Sequence, residues 1–395
     1  MPAKAKNSSN AQPRRKLIAA IEKERDSKVI SYFLADRRPM ATHIAEDAVR
    51  PMYDHLRALG SVKKIDLFLY SLGGQMEVPW RIVTMIREFA EEVGVLVPYK
   101  AMSAATMIAL GADEIVMGRK GELGPIDPKM SIQRSKEGQT AVEEEVAVED
   151  IMSYLRFLRD KAGLSDQTAL AGPVAKLCET LPPSALGGLN RVHSHIRLIA
   201  RKLLTARTGQ QPLDEQKIQV IIDTLAEKTY QHGHAIGRRE AAEIGLNVIL
   251  PSGGLEENMW RLFEDYEQVM KMRESIDPAT FVPAGQDEHV ENVTVACIES
   301  SALAHHYSGD LKVKIKRQAL PQVTLNLNLN LQLPPNVQAQ QLPAQAQNAM
   351  QKMLEKMQQP IQDIVQQELR KQMPATGYEA RIEGGAWRQL PDWSG

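Results

Sequence analysis

With 395 residues, 43% of them apolar and 25% charged, the chain can bury a sizeable core and carry an extra module. Its 48 basic against 49 acidic residues give a formal charge of −1, which offers no electrostatic footprint for nucleic acid or an anionic membrane. Two cysteines, Cys178 and Cys297, have neither metal-ligand spacing nor the density of a disulfide scaffold, so they read as buried small hydrophobes in a reducing, cytoplasmic protein.

In chain order, residues 1–14 form a basic arm without the apolar centre of a signal peptide, expected to be disordered. No run of about 18 uncharged apolar residues follows, so no transmembrane segment is expected. From Arg15 to Leu59 the pattern predicts a helix (Leu17, Ile18, Ile21), a strand (Val29 to Leu34) and a helix (Ile44 to Leu59). Apolar strands at Ile65 to Tyr70, Val93 to Pro98 and Ile115 to Met117 alternate with helical patterns, which predicts an α/β fold with a parallel sheet covered by helices. Ligands of such sheets gather at the carboxyl ends of the strands.

Residues 131–227 read as a helical insertion or arm, carrying the acidic run Glu143 to Glu145. The core resumes over 228–300, with a short helix from Arg238 stopped by Gly245 and a returning strand at Leu246 to Leu250. Residues 301–343 form a β segment whose stretch Val323 to Leu333 is apolar at every second position; it is expected to pair between subunits or with the 293–298 segment. Residues 344–373 form an amphipathic helix with an apolar seam (Met350, Met353, Leu354, Met357, Ile361, Ile364, Val365, Leu369) interrupted by Pro360, read as a self-association element. The tail 374–395 is expected to be loop.

Two positions carry chemistry. The strand ending at Tyr70 runs into Ser71-Leu72-Gly73-Gly74, where paired glycines leave backbone amides unshielded. The strand ending near Pro98 runs into Lys100-Ala101-Met102-Ser103-Ala104-Ala105-Thr106, which presents the Ser103 hydroxyl at a strand-to-helix junction. There the first helical N–H groups and the positive end of the helix dipole favour developing negative charge. A serine hydrolase needs such a nucleophile, a base, a group orienting the base and amides for the oxyanion.

The order of these motifs, with Pro79-Trp80-Arg81-Ile82-Val83, Gly111-Ala112-Asp113-Glu114-Ile115-Val116-Met117-Gly118, Gly121-Glu122-Leu123-Gly124-Pro125-Ile126-Asp127-Pro128, His232-Gly233-His234-Ala235-Ile236 and Glu240-Ala241-Ala242-Glu243-Ile244-Gly245-Leu246, strongly resembles the serine dehydrogenase proteinase family. That family is a branch of the Clp-protease/crotonase superfamily related to the signal-peptide peptidases. The resemblance covers roughly residues 15–300 and implies a Clp/crotonase-like spiral of βαβ units over 15–130 and 228–300, with the helical arm and the C-terminal strand-plus-helix assembly module added. It implies that Ser103 is the nucleophile, that the Gly74 and Ala104 amides, beside Gly73, form the oxyanion hole, that His232 is the base and that Asp127 orients it. Many members carry an N-terminal membrane anchor, which is not expected here.

Other bases remain open at this point. On a strand His234 would face the same side as His232, and Lys129 or Lys100 would make a serine-lysine dyad if burial lowered the amine pKa. His193, His195, His305 and His306 read as surface or structural histidines, and the His-x-His pairs lack a third metal ligand, so neither metal nor other cofactor is expected. No dinucleotide-binding or Walker-type glycine motif is present, which disfavours hydride transfer and intrinsic ATP use; any unfoldase or adaptor would be a separate partner. The expected function is an ATP-independent serine peptidase acting on unfolded or small peptides as a homo-oligomer. The alternatives are a non-catalytic oligomeric scaffold and an acyl-thioester enzyme of crotonase type.

Overall fold

The computed structural model describes residues 12–127, 129–134, 142–164, 166–208, 213–228, 233–274, 277–283, 285–319 and 343–393. The chain divides into one unit of Met1–Arg273, Val293–Gly309 and Gly385–Gly395 and a second of Glu274–Asn292 and Asp310–Gly384.

The elements begin with α1 (Gln12–Arg25), β1 (Lys28–Leu34), α2 (Val49–Leu59), β2 (Val62–Tyr70), α3 (Val78–Arg87), β3 (Ala90–Val97), β4 (Lys100–Ala101), α4 (Ala104–Leu110), β5 (Glu114–Met117) and β6 (Glu122–Leu123). Then come β7 (Lys129–Arg134), β8 (Val142–Ala147), α5 (Val148–Asp160), α6 (Gln167–Thr180), α7 (Pro183–Thr205), α8 (Glu215–Asp223), β9 (Ile236–Gly237), α9 (Arg238–Ile244), β10 (Val248–Ile249) and α10 (Gly253–Val269). The chain ends through α11 (Pro278–Phe281), β11 (Glu288–Ser300), β12 (Ala304–Arg317), α12 (Ala344–Gln372) and β13 (Ala375–Gln389).

Among the described residues the main sheet has eight strands in the order β10-β5-β3-β2-β1-β11-β12-β13. β10, β5, β3, β2 and β1 pair in parallel, as the alternating strand and helix pattern predicts, and β11 joins β1 antiparallel with Phe33 opposite Cys297. A smaller sheet, β4-β6-β9, stands beside it. The apolar runs are continuous because both faces of the sheet are covered. One face presents Tyr32, Leu67 and Val95 to a core shared with Met52, Ile82 and Ile108 of the following helices. On alternate positions Phe33 stacks on Tyr70 and Tyr266, with ring centroids 4.5 and 4.7 Å apart, and lies 5.6 Å from Phe263 of α10.

Four local expectations are corrected. Of the arm expected to be disordered over 1–14, Gln12 to Arg14 open α1 and Arg14 is buried. The insertion opens with the antiparallel β7–β8 hairpin, which places Glu143 to Glu145 on a strand; six-residue strands with alternation as brief as Met130 and Ile132 leave a weak signal in the sequence. The tail contains β13 and a 3-10 turn at Pro391–Trp393 where loop is expected. Within the first unit, Trp387 packs edge-on against Tyr307, and Gly385 leaves room for the Tyr307 ring, whose hydroxyl a Cβ there would approach to 2.6 Å. In the second unit α12 runs unbroken through Pro360, because a proline removes one helical hydrogen bond and strong helix formers flank it. The alternating stretch Val323 to Leu333 lies outside the described residues.

Candidate active site

The paired-glycine turn and the strand before Ser103 are built as one piece. Ser71 bridges Ala101 in parallel, its N–H donating to Lys100 O at 3.0 Å and its carbonyl accepting from Met102 N–H at 2.9 Å. On the other side Ile44 bridges Gly74, with Ile44 N–H donating to Gly73 O (2.8 Å) and Gln75 N–H donating to Ile44 O (2.9 Å). In a parallel bridge the flanking groups are consumed and the bridged residue's own N–H points to the opposite side. The Gly74 amide therefore faces away from Ile44. Only glycine fits at either position: φ is +114° at Gly73 and +152° at Gly74, and a Cβ on Gly74 would lie 2.2 Å from Ile44 O.

Ser103 stands at the N-cap of α4 with φ 51° and ψ −113°, a backbone conformation that costs a residue bearing a Cβ about 1–3 kcal/mol. The surroundings hold it there. Every residue of α4 is buried, and Thr106 Oγ1 lies 2.7 Å from Ala101 O and 2.9 Å from Gly124 O while accepting from Gly124 N–H at 3.0 Å. Gly73 comes so close that a Cβ on it would meet Ser103 Cβ at 2.7 Å and Ser103 Oγ at 3.2 Å. The hydroxyl itself donates to Met76 Sδ at 3.6 Å. As the first residue of α4, Ala104 has no intrahelical acceptor for its N–H. The Gly73 N–H is engaged, donating to Ser71 Oγ at 3.0 Å, whereas the Gly74 N–H faces away from the Ile44 bridge and the Ala104 N–H opens α4.

The remaining sequence candidates fall as follows. His232 lies outside the described residues. Asp127 is buried at the end of a loop whose Ile126 N–H donates to Leu225 O at 3.0 Å, which sets that loop beside the π turn Thr224–Lys228 preceding His232. His234 is partnered by Glu240, Nε2 to Oε1 at 2.9 Å, an acidic residue of the first turn of α9 that the sequence reading did not assign. Lys100 is committed elsewhere: its amine sits 3.2 Å from Asp36 Oδ2 and 4.7 Å from the centre of the Tyr99 ring, and Asp36 also accepts from Tyr70 OH at 2.7 Å. Lys129 opens β7, and its side chain lies outside the described part.

A second polar cluster, missed from the sequence, is buried at the turn between β11 and β12. Glu299 accepts two hydrogen bonds from the Arg14 guanidinium, from Nε at 2.9 Å and Nη2 at 3.1 Å, and is also contacted by Tyr266 OH at 2.8 Å and the His306 ring at 2.7 Å. Burial alone would raise this carboxyl; the His306 hydrogen bond and the Arg14 charge outweigh it and hold the pKa down to about 2. Cys297, Glu299 and His306 bring metal-ligand atoms within 4.8 Å of one another, but the carboxylate oxygens are already used by Arg14, Tyr266 and His306, and a cation would have to displace a guanidinium. Next to it His55 contacts Ser300 Oγ through Nδ1 (2.8 Å) and His305 through Nε2 (3.1 Å), and burial followed by the His305 ring lowers its pKa to about 3.

The chain is 27% identical over 270 residues, 67% of this chain and 82% of the other, to the uncharacterised protein MJ0137 of Methanocaldococcus jannaschii, and 22% identical over 269 residues, 67% and 80%, to MJ1495 of the same organism. Among solved structures, a membrane-bound stomatin-specific protease, 1510-N, aligns over 53% of this chain and 75% of its own at 15% identity with a TM-score of 0.31. A monofunctional enoyl CoA isomerase from M. smegmatis aligns over 64% and 83% at 17% identity with a TM-score of 0.26. No helix of the described residues is long and apolar enough to cross a membrane. Residues 1–152, which contain the glycine turn, Ser103 and Asp127, match the family model of the ClpP-like SDH-type serine proteinases, and at that level the chain carries the pattern of a serine peptidase.

Proposed function

We propose that the protein is an ATP-independent serine peptidase in which Ser103 attacks a peptide carbonyl and the Gly74 and Ala104 amides hold the oxygen as it becomes an anion. His232 takes the serine proton and returns it to the leaving amine, and Asp127 fixes its tautomer and stabilises the imidazolium. The observation that carries the reading is the strained Ser103 backbone beside the Gly73–Gly74 turn. Backbone strain held by a packed helix on one side and a glycine turn on the other is the kind of feature that clusters at active sites, where it presents a reacting group. Two donors fixed before substrate arrives cost no reorganisation when charge develops. Assembly into a homo-oligomer that encloses the sites would restrict substrates to unfolded or small peptides, and the heptad-like side of α12 is the element assigned to that role.

A fluorophosphonate probe tests the activity directly. Labelling of the wild-type protein that disappears in Ser103→Ala supports the peptidase. An unlabelled protein that retains its oligomeric mass removes it in favour of a scaffold.

A further inference from the structure

A cavity of about 340 Å³ has in its lining Gln75, the residue that directly follows Gly74 of the glycine turn. Its floor is aromatic: Tyr32, buried in the sheet, together with Tyr307 and Trp387, whose rings meet edge to face at 5.5 Å. Its exposed lining residues are the carboxylates Glu46 and Asp47 together with His43 and Gln75. Gln75 directly follows Gly74, and its side-chain oxygen accepts from Glu46 N–H at 3.1 Å. The same peptide segment, Ile44 to Glu46, is therefore pinned to the glycine turn by main-chain bonds at Ile44 and by Gln75 at Glu46. The turn that approaches Ser103 through Gly73 thus reaches this cavity through Gln75.

Aromatic faces below and carboxylates above form a receptacle for a cation on an apolar stem. Ring quadrupoles attract the charge, the carboxylates pair with it, and the methylene stem covers the aromatic floor. The influence of Asp47 reaches the floor: after burial, its charge is the next cause that raises the Tyr32 phenol above its ordinary pKa. Glu46 is paired with Arg81, and both side chains are more than half exposed, so exchanging that partner for a ligand cation costs little. The dimensions agree, since the space accommodates one extended lysine or arginine side chain but not a folded domain.

We propose that this cavity is a substrate subsite that receives a lysine or arginine side chain of the peptide being cleaved. The assignment rests on the peptidase reading for its role, although not for its chemistry. A peptide whose scissile carbonyl meets the Gly74 N–H would need to run on past Gln75 to bring a neighbouring side chain to the cavity. The subsite would make the enzyme select unfolded segments carrying a basic residue at one fixed distance from the cut.

The test uses the full chain with Ser103→Ala, so that binding is read without turnover, and a blocked alanine octapeptide in which lysine or its neutral counterpart norleucine is walked along the positions. Calorimetry should give about tenfold tighter binding for lysine at one position, falling to less than about threefold in Glu46→Gln/Asp47→Asn, whose exposed side chains can be changed without disturbing the core. Equal affinity for lysine and norleucine at every position, or a lysine preference untouched by the double substitution, overturns the subsite. Fluorophosphonate labelling of the wild-type protein is read in parallel. A lysine preference without labelling at Ser103 keeps the basic-side-chain site and removes the peptidase reading, whereas labelling without a lysine preference does the reverse.

Discussion

Gly73 and Ser103 are packed so tightly that a single methyl group on the glycine would stand 2.7 Å from the serine Cβ. Neither residue can shift alone, because Gly73 O is held by Ile44 N–H and the Ser71 backbone is held by Lys100 and Met102. Gly73→Ala should therefore displace the hydroxyl as well as strain a backbone at φ +114°. We expect a folded protein, destabilised by about 1–3 kcal/mol, whose rate of fluorophosphonate labelling falls at least a hundredfold. Circular dichroism with labelling kinetics checks both parts.

The strain at Ser103 itself predicts a trade of stability against activity. Ser103→Gly relaxes the residue at φ 51° and should raise stability by about 1 kcal/mol while abolishing labelling. Ser103→Ala abolishes labelling too but keeps the strain, so it should not be stabilised. Denaturant unfolding of the two variants side by side separates them; a glycine variant less stable than the alanine variant would mean that the observed backbone conformation is not strained.

The base assignment yields a kinetic contrast. His234 is tied to Glu240 at 2.9 Å and both are substantially exposed, so His234→Ala should change turnover by less than about threefold. His232→Ala, on the proposed mechanism, should lower kcat by about a thousandfold or more with little change in KM. Peptide hydrolysis by the two variants at equal concentration decides between them, and the opposite ranking would transfer the role to His234 and its carboxylate.

Acid should unfold the first unit through the buried His55 before it touches the carboxylate beneath. The folded ring takes up a proton only near pH 3, whereas the unfolded ring does so near 6.5, so the unfolded chain binds more protons in between and stability falls as the pH drops through that window. The loss should reach the order of a few kcal/mol by pH 4. Below about pH 4.5 protonation of Glu299, whose folded pKa is about 2, adds a second loss in the same direction. His55→Asn should flatten the slope between pH 6.5 and 4.5 in urea unfolding curves, and an unchanged slope would move its origin to other groups.

How much of this was legible in the sequence follows from physics particular to each segment. The parallel strands β1, β2, β3 and β5 stand out because burial on both faces makes them continuous apolar runs, and the glycine turn and Ser103 stand out because each ends such a run. β13 did not stand out, since its inward positions Ala380, Ile382, Gly385 and Trp387 are small or widely mixed in character and sit among charges. The cluster of Arg14, Glu299 and His306 was hidden for a different reason: Arg14 and Glu299 are 285 positions apart, and each alone reads as an ordinary exposed polar residue. Gly73 shows a finer limit. The glycine pair marks an anion-facing turn, yet which amide is spent on Ser71 Oγ emerges only from the folded geometry.

The most direct measurement of the central claim is a crystal structure of the protein soaked with a blocked peptide aldehyde. The account predicts a covalent bond from Ser103 Oγ to the aldehyde carbon, with the resulting oxygen within about 3 Å of both the Gly74 and the Ala104 nitrogens. An adduct on another residue, or one whose oxygen points away from the glycine turn, would contradict it.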